Sequence, residues 1–140
     1  MGVSRYLADK SALARLHHSA VQDKLLPLIQ RGLVGVCGAT EIEMLYSARN
    51  MQERMWMKQQ LLDACDPVST PDDLWRRASD IQEALTEKGQ HRSAGVSDLV
   101  IAATAQAHGL TVIHYDRDFD TIAAFTEQPV EWVVPAGSVP

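Results

Sequence analysis

Short stretches of strand character alternate with helical ones along this chain, and several of the strands run into an acidic residue. Residues 5–8 read as a first strand that reaches Asp9, and residues 33–37 as a second. Residues 111–114 form a third strand running into Tyr115 and Asp116, and 131–134 a last one. Helices are expected from Ser11, over 21–29, from Thr40 to about residue 50, and over 52–64, 71–88, 97–108 and 119–125. The segment 71–88 carries the clearest helical signal. Thr70 stands ready to cap it with Pro71 at the first helical position, Leu74, Ala78, Ile81 and Leu85 recur at helical spacing, and Gly89 stops it. The segment 97–108 is apolar almost all round and is expected to be buried. This alternation predicts an α/β fold: a central parallel sheet of four or five strands with helices on both faces, in one domain spanning 1–140.

In an open sheet of this kind, reacting groups gather beyond the C-terminal ends of the strands. Asp9 follows the first strand and Asp116 the third, with Asp118 two residues on. Glu43 lies early in the helix after the second strand, and Asp98 in the first turn of the apolar helix. Taken singly, each has a structural alternative. Glu43 stands three residues after Thr40, a capping-box spacing; Asp98 would favour a helix dipole; Asp9 would serve as a turn or capping residue. Together they form an acidic cluster that repels itself unless a cation binds. Oxygen donors suit Mg²⁺ or Mn²⁺, which support phosphodiester cleavage. Asp116, Asp118, Asp120 and Glu127 also mimic a calcium-binding loop, but Thr121 stands where the turn needs glycine, and a strand precedes it instead of a helix.

Composition narrows the class. The chain is 46% hydrophobic with a net charge of −5, so it has a real core and cannot hold nucleic acid by bulk positive charge. Cys37 and Cys65 are far apart and lack a zinc or disulfide pattern, so both are expected to be reduced, buried thiols. The start of the chain has no signal-peptide pattern, and Met1-Gly2 with Tyr6 makes no acylation signal. The longest apolar stretch, 99–105, is too short to cross a bilayer, and a cytoplasmic location with no membrane contact is expected.

Four segments in order resemble the PIN-domain ribonucleases of the VapC type, the toxin halves of bacterial toxin–antitoxin pairs. They are 6–13 (Tyr-Leu-Ala-Asp-Lys-Ser-Ala-Leu), 40–47 (Thr-Glu-Ile-Glu-Met-Leu-Tyr-Ser), 94–103 (Ala-Gly-Val-Ser-Asp-Leu-Val-Ile-Ala-Ala) and 116–119 (Asp-Arg-Asp-Phe). The resemblance covers nearly the whole chain, and the third segment is its most specific part. It implies a metal-dependent endoribonuclease with Mg²⁺ or Mn²⁺ held by Asp9, Glu43, Asp98 and Asp116, and Asp118 as a candidate fifth ligand. Glu41 competes with Glu43, but Met44 to Ser47 fit the family pattern that follows the acid. Two departures stand out: Lys10 where similar proteins often carry Thr, and His114-Tyr115 in place of Thr-Arg. The second removes a hydroxyl that would orient Asp116, while Ser11 is expected to orient Asp9.

Lys10, Lys88, His91, Arg92 and Arg117 are the candidate RNA-phosphate contacts, and for each the commoner alternative is scattered surface charge. The resemblance further implies a homodimer and a small VapB-like antitoxin that directs an Arg toward the acids. Met44, Ala48, Met51 and Met55 recur at helical spacing with Trp56 and Met57 adjacent, and some are expected to stay exposed as its groove. Two rival readings are a PIN-fold binding module without catalysis and an aspartate-nucleophile phosphatase acting through Asp9. The phosphatase needs a second Asp two residues on, where Ser11 stands.

Overall fold

The computed structural model describes residues 3–140; Met1 and Gly2, read above as no acylation signal, lie outside the described residues. In chain order the elements are β1 (Tyr6–Ala8), α1 (Lys10–Leu13), α2 (Ser19–Gln30), β2 (Val34–Val36), α3 (Gly38–Tyr46), α4 (Met51–Gln60), a 3₁₀ turn (Leu62–Ala64) and β3 (Asp66–Pro67). There follow α5 (Leu74–Glu87), α6 (Val96–His108), β4 (Thr111–His114), α7 (Arg117–Phe125) and β5 (Val130–Trp132). The five strands are parallel and ordered β3-β2-β1-β4-β5. The chain builds β1, β2 and β3 outward in one direction, then returns past β1 to build β4 and β5 in the other. The reversal falls between β1 and β4.

The pleat sends alternate strand residues to opposite faces. Leu7 pairs with Val112 and Ala8 with Ile113. Leu7 and Val112 pack into the core under α5, α6 and α7, whereas Ala8 and Ile113 pack against α1, α2 and α3. Helices thus cover both faces, as parallel strands require. The apolar helix α6 is buried along Leu99, Ile101, Ala102, Ala103, Thr104 and Ala105. Cys37 and Cys65 are buried free thiols.

Several boundaries differ from the sequence expectation, each for a local reason. α5 starts at Leu74 rather than Pro71, because the Leu74 N–H closes a turn onto the Pro71 carbonyl at 3.1 Å. Asp73 stands at its N-cap and turns its carboxylate to Arg76 and Arg77. α3 starts at Gly38 with Cys37 at its N-cap. Thr40 is therefore inside the helix, and its hydroxyl donates to the Ala8 carbonyl at 2.9 Å, which overturns the capping-box reading of Glu43. The expected 52–64 helix breaks at Leu61 into α4 and the 3₁₀ turn. α7 begins two residues earlier than expected, with Asp116 as its N-cap. Strand β3 has no counterpart in the sequence reading.

Candidate active site

A parallel sheet opens a crevice where its strand order reverses. Asp9 leaves β1 and Asp116 leaves β4 at that point, and the Asp9 N–H bonds to the Ile113 carbonyl at 3.0 Å, which joins the two strand ends. A cleft of about 720 Å³ lies there, lined by Asp9, Glu43, Asp98 and Asp116 together with Lys10, Arg15, Arg117, Tyr115, Trp132 and the segment 136–140. Glu43 and Glu41 are separated by two helical residues, about 200° around the axis. Glu43 consequently faces the cleft, while Glu41 pairs with Lys58 at 2.8 Å elsewhere.

Each acid is held by neutral donors. Asp9 accepts from the Ser11 N–H at 2.9 Å and the Ser11 hydroxyl at 2.6 Å, so it caps α1 while facing the cleft. The Ser97 hydroxyl donates to Glu43 at 2.5 Å and ties α6 to α3. Asp98 accepts from the Gly95 N–H at 3.2 Å, and Asp116 accepts from the Asp118 N–H at 2.9 Å. Among the described residues no basic side chain makes an ion pair with any of these four acids.

The electrostatics follow from that arrangement. Burial pushes the Asp98 carboxyl up to about 7, with Asp9, Asp116 and Asp118 adding to the rise against the Gly95 hydrogen bond. Burial also raises Asp9, against the two Ser11 hydrogen bonds, and Glu43 and Asp116 raise it further. Asp118 is raised by partial burial and by Asp116. Such uncompensated carboxylates at one sheet edge form a site that a hard divalent cation would relieve. Among the described residues no three His, Cys, Asp or Glu side chains are gathered tightly enough to hold a metal ion in this conformation, since each carboxylate is turned to its own local donor. The donor set fits Mg²⁺ or Mn²⁺ in chemistry.

His114, where a hydroxyl was expected to orient Asp116, holds the Asp116 backbone and does not touch its carboxylate. The Asp116 N–H donates to His114 Nδ1 at 3.1 Å, which leaves the ring proton on Nε2. The ring is fully buried between Phe119 and Trp132, burial holds its pKa below the usual histidine value, and Nε2 has no hydrogen-bond partner. Ser11 does double work: besides donating to Asp9 it accepts the Tyr115 N–H at 2.8 Å. Of the candidate phosphate contacts, Lys10 and Arg117 line the cleft, and Lys88, His91 and Arg92 do not. Arg15, Ser97 and Trp132 were not among the sequence candidates. Trp132 ends β5 but lies inside the strand expected at 131–134, so the strand-end rule that found Asp9 and Asp116 did not single it out.

A PIN domain model matches residues 6–124. Ribonuclease VapC21 of Mycobacterium tuberculosis is 52% identical over 135 residues, covering 96% of this chain and 98% of that protein. A solved structure of VapBC2 from Rickettsia felis, bound to a DNA fragment from its promoter, superposes with a TM-score of 0.75 at 14% identity, covering 90% and 96% of the two chains. VapBC-5 from Mycobacterium tuberculosis, described as a member of the VapBC family of toxin–antitoxin systems, gives 0.66 at 21% identity, covering 93% and 99%.

Proposed function

Since this chain belongs to the PIN-domain family, among the VapC-type ribonucleases, we propose that it is a cytoplasmic, Mg²⁺- or Mn²⁺-dependent endoribonuclease toxin held in check by a small VapB-like antitoxin. The observation that carries the reading is the meeting of Asp9, Glu43, Asp98 and Asp116 in one cleft at the sheet's reversal with neutral donors alone. These four acids, with Asp118 as a fifth, would hold the metal. When bound, a divalent ion makes water a stronger nucleophile and offsets the negative charge that grows at the phosphodiester. The protein's own contribution is positional. Ser11 and Ser97 fix Asp9 and Glu43, Gly95 fixes Asp98, and His114 and Asp118 N–H fix Asp116. Lys10 and Arg117 stand at the cleft to take flanking phosphates; Lys88, His91 and Arg92 would act only on RNA that extends beyond it.

The antitoxin reading rests on α4, which buries none of its residues. Met44 is in the core, yet Met51, Met55 and Trp56 are exposed, together with Ile42 and Tyr46 on α3. Beside them runs a groove of about 440 Å³ lined by Leu13, Leu16, Leu26, Met44, Trp56 and Met57. Ala14 borders both this groove and the acidic cleft, so a segment lying in the groove would lead an Arg to the acids. A homodimer is part of the same proposal and is read by analytical ultracentrifugation.

The test is cleavage of a structured RNA by the purified protein with Mn²⁺ and with chelator, beside the folded Asp98→Asn variant. Cutting that needs the metal and is lost in Asp98→Asn supports the reading. Cutting at full rate in chelator or in folded Asp98→Asn sinks it, and no cutting by the wild type would favour a binding module.

A further inference from the structure

The acids account for part of the cleft lining and leave its aromatic part unexplained. Trp132 and Tyr115 meet edge to face with ring centroids 5.3 Å apart, both are half-buried, and both line the cleft. Each ring is fixed in place. The Trp132 Nε1–H donates to both carboxylate oxygens of Asp120 at 3.0 Å. The Tyr115 hydroxyl donates to the Val139 carbonyl at 2.7 Å and accepts the Val139 N–H at 3.1 Å. The Arg15 guanidinium lies 4.6 Å above the Tyr115 ring and is itself anchored to the carbonyls of Ser11 and Pro140 at 2.8 and 3.1 Å. Carboxylate chemistry has no use for an indole, and a tryptophan that only filled the core would have no face on the cleft.

We infer that Trp132 and Tyr115, backed by Arg15, form a seat on which one unstacked RNA base rests next to the phosphate presented to the acids. The inference rests on the ribonuclease reading and deepens it by assigning the aromatic residues of the cleft to base contact. The physical need is plain. A chain of net charge −5 with an acidic cleft repels a polyanion, and Lys10, Arg15 and Arg117 are the basic residues on the cleft lining. Stacking requires no net charge, tolerates every base, and is insensitive to salt in a way that phosphate contacts are not. A wall held rigid beforehand loses little freedom when the base arrives. A base inside an A-form duplex has no free face, so the seat selects unpaired nucleotides.

Three measurements test it on the whole protein. A labelled single-stranded RNA decamer is titrated in chelator and followed by anisotropy, and cleavage kinetics are measured with Mn²⁺. Trp132→Ala should weaken binding and raise KM by roughly 10- to 100-fold with kcat little changed, and Trp132→Phe should recover most of the loss. In a Trp56→Phe/Trp75→Phe protein, Trp132 is the sole tryptophan of the three. Saturating RNA should quench its emission, a readout that keeps Trp132 in place should the alanine variant fail to fold. Unchanged emission at saturation, or a folded Trp132→Ala with wild-type KM, overturns the seat while leaving the ribonuclease intact. A wild type that neither binds nor cuts RNA overturns both.

Discussion

At the scale of single residues, Asp98 is the group whose charge is most opposed by its surroundings. Its carboxyl is pushed up to about 7, well above the usual carboxylate range, so the folded protein binds that proton more tightly than the unfolded chain does. Stability from this residue is therefore greatest with the carboxyl protonated and declines as pH rises toward and through about 7. For the metal-free protein, Tm should climb between pH 8 and pH 5. Asp98→Asn should raise Tm at pH 8 and flatten the profile, the difference between the two curves isolating this residue. Mn²⁺ should raise the wild-type Tm by mass action and do so more at pH 8 than at pH 5, with little effect on Asp98→Asn. Cleavage by that variant should fall more than about 100-fold, since even partners outside the metal's own ligands are worth 10- to 100-fold. His114 makes a second case. His114→Ala strips the Asp116 N–H of its acceptor and hollows the space between Phe119 and Trp132. It should cost about 1–3 kcal/mol by urea titration and lower kcat about 10-fold. The acids were legible in the sequence because strand ends are legible. The role of His114 was not, because a histidine ending a strand reads equally as a core or a surface residue, and only the register of β4 turns its Nδ1 toward the Asp116 N–H.

At the scale of elements, α4 is a helix supported by caps and not by burial. Asn50 accepts the Glu53 N–H at 2.8 Å, Arg49 pairs with Glu53 at 2.9 Å, and no residue of the helix is buried. Met57 leans on the core, while Met51, Met55 and Trp56 stay exposed and free to serve a partner. Trp56→Glu or Met51→Glu should leave Tm nearly unchanged, because exposed substitutions outside caps and cores are worth within about 0.5 kcal/mol. The same changes should weaken capture of the proposed VapB-like antitoxin by 10-fold or more in a pull-down or calorimetric titration; equal capture by Trp56→Glu would count against the groove. The periodicity of Met44, Met51 and Met55 announced an apolar face but not its division between core and solvent. That division depends on the break at 47–50, where the chain changes direction between α3 and α4. β3 escaped the sequence reading for a related reason. It is two residues, Asp66–Pro67, with no alternation to detect, and it exists because Gly35 lets β2 come close: a Cβ there would meet the Val68 side chain at 2.4 Å. α5 began late because Thr70-Pro71 makes a good helix start on paper and an equally good turn.

At the scale of the whole molecule, the sheet order decides which residues meet. Asp9 and Asp116 lie more than a hundred residues apart in sequence and become neighbours because β1 and β4 pair at the reversal. Alternation of strand and helix pointed to that architecture, since a parallel sheet allows few strand orders; the aromatic part of the cleft was not legible, because it depends on where the chain runs after β5. There the backbone turns at Gly137, with φ of +78°, and the Ser138 N–H closes onto the Pro135 carbonyl at 3.1 Å. The turn returns Val139 and Pro140 to Tyr115 and Arg15 on the cleft rim. For anyone preparing this protein, that geometry is a practical instruction. Whatever is attached after Pro140, a purification tag or a fluorescent fusion, begins at the rim of the cleft proposed to receive RNA. A tag there should raise KM for an RNA decamer compared with the same tag placed before the exposed Val3, and its proteolytic removal should restore the untagged value.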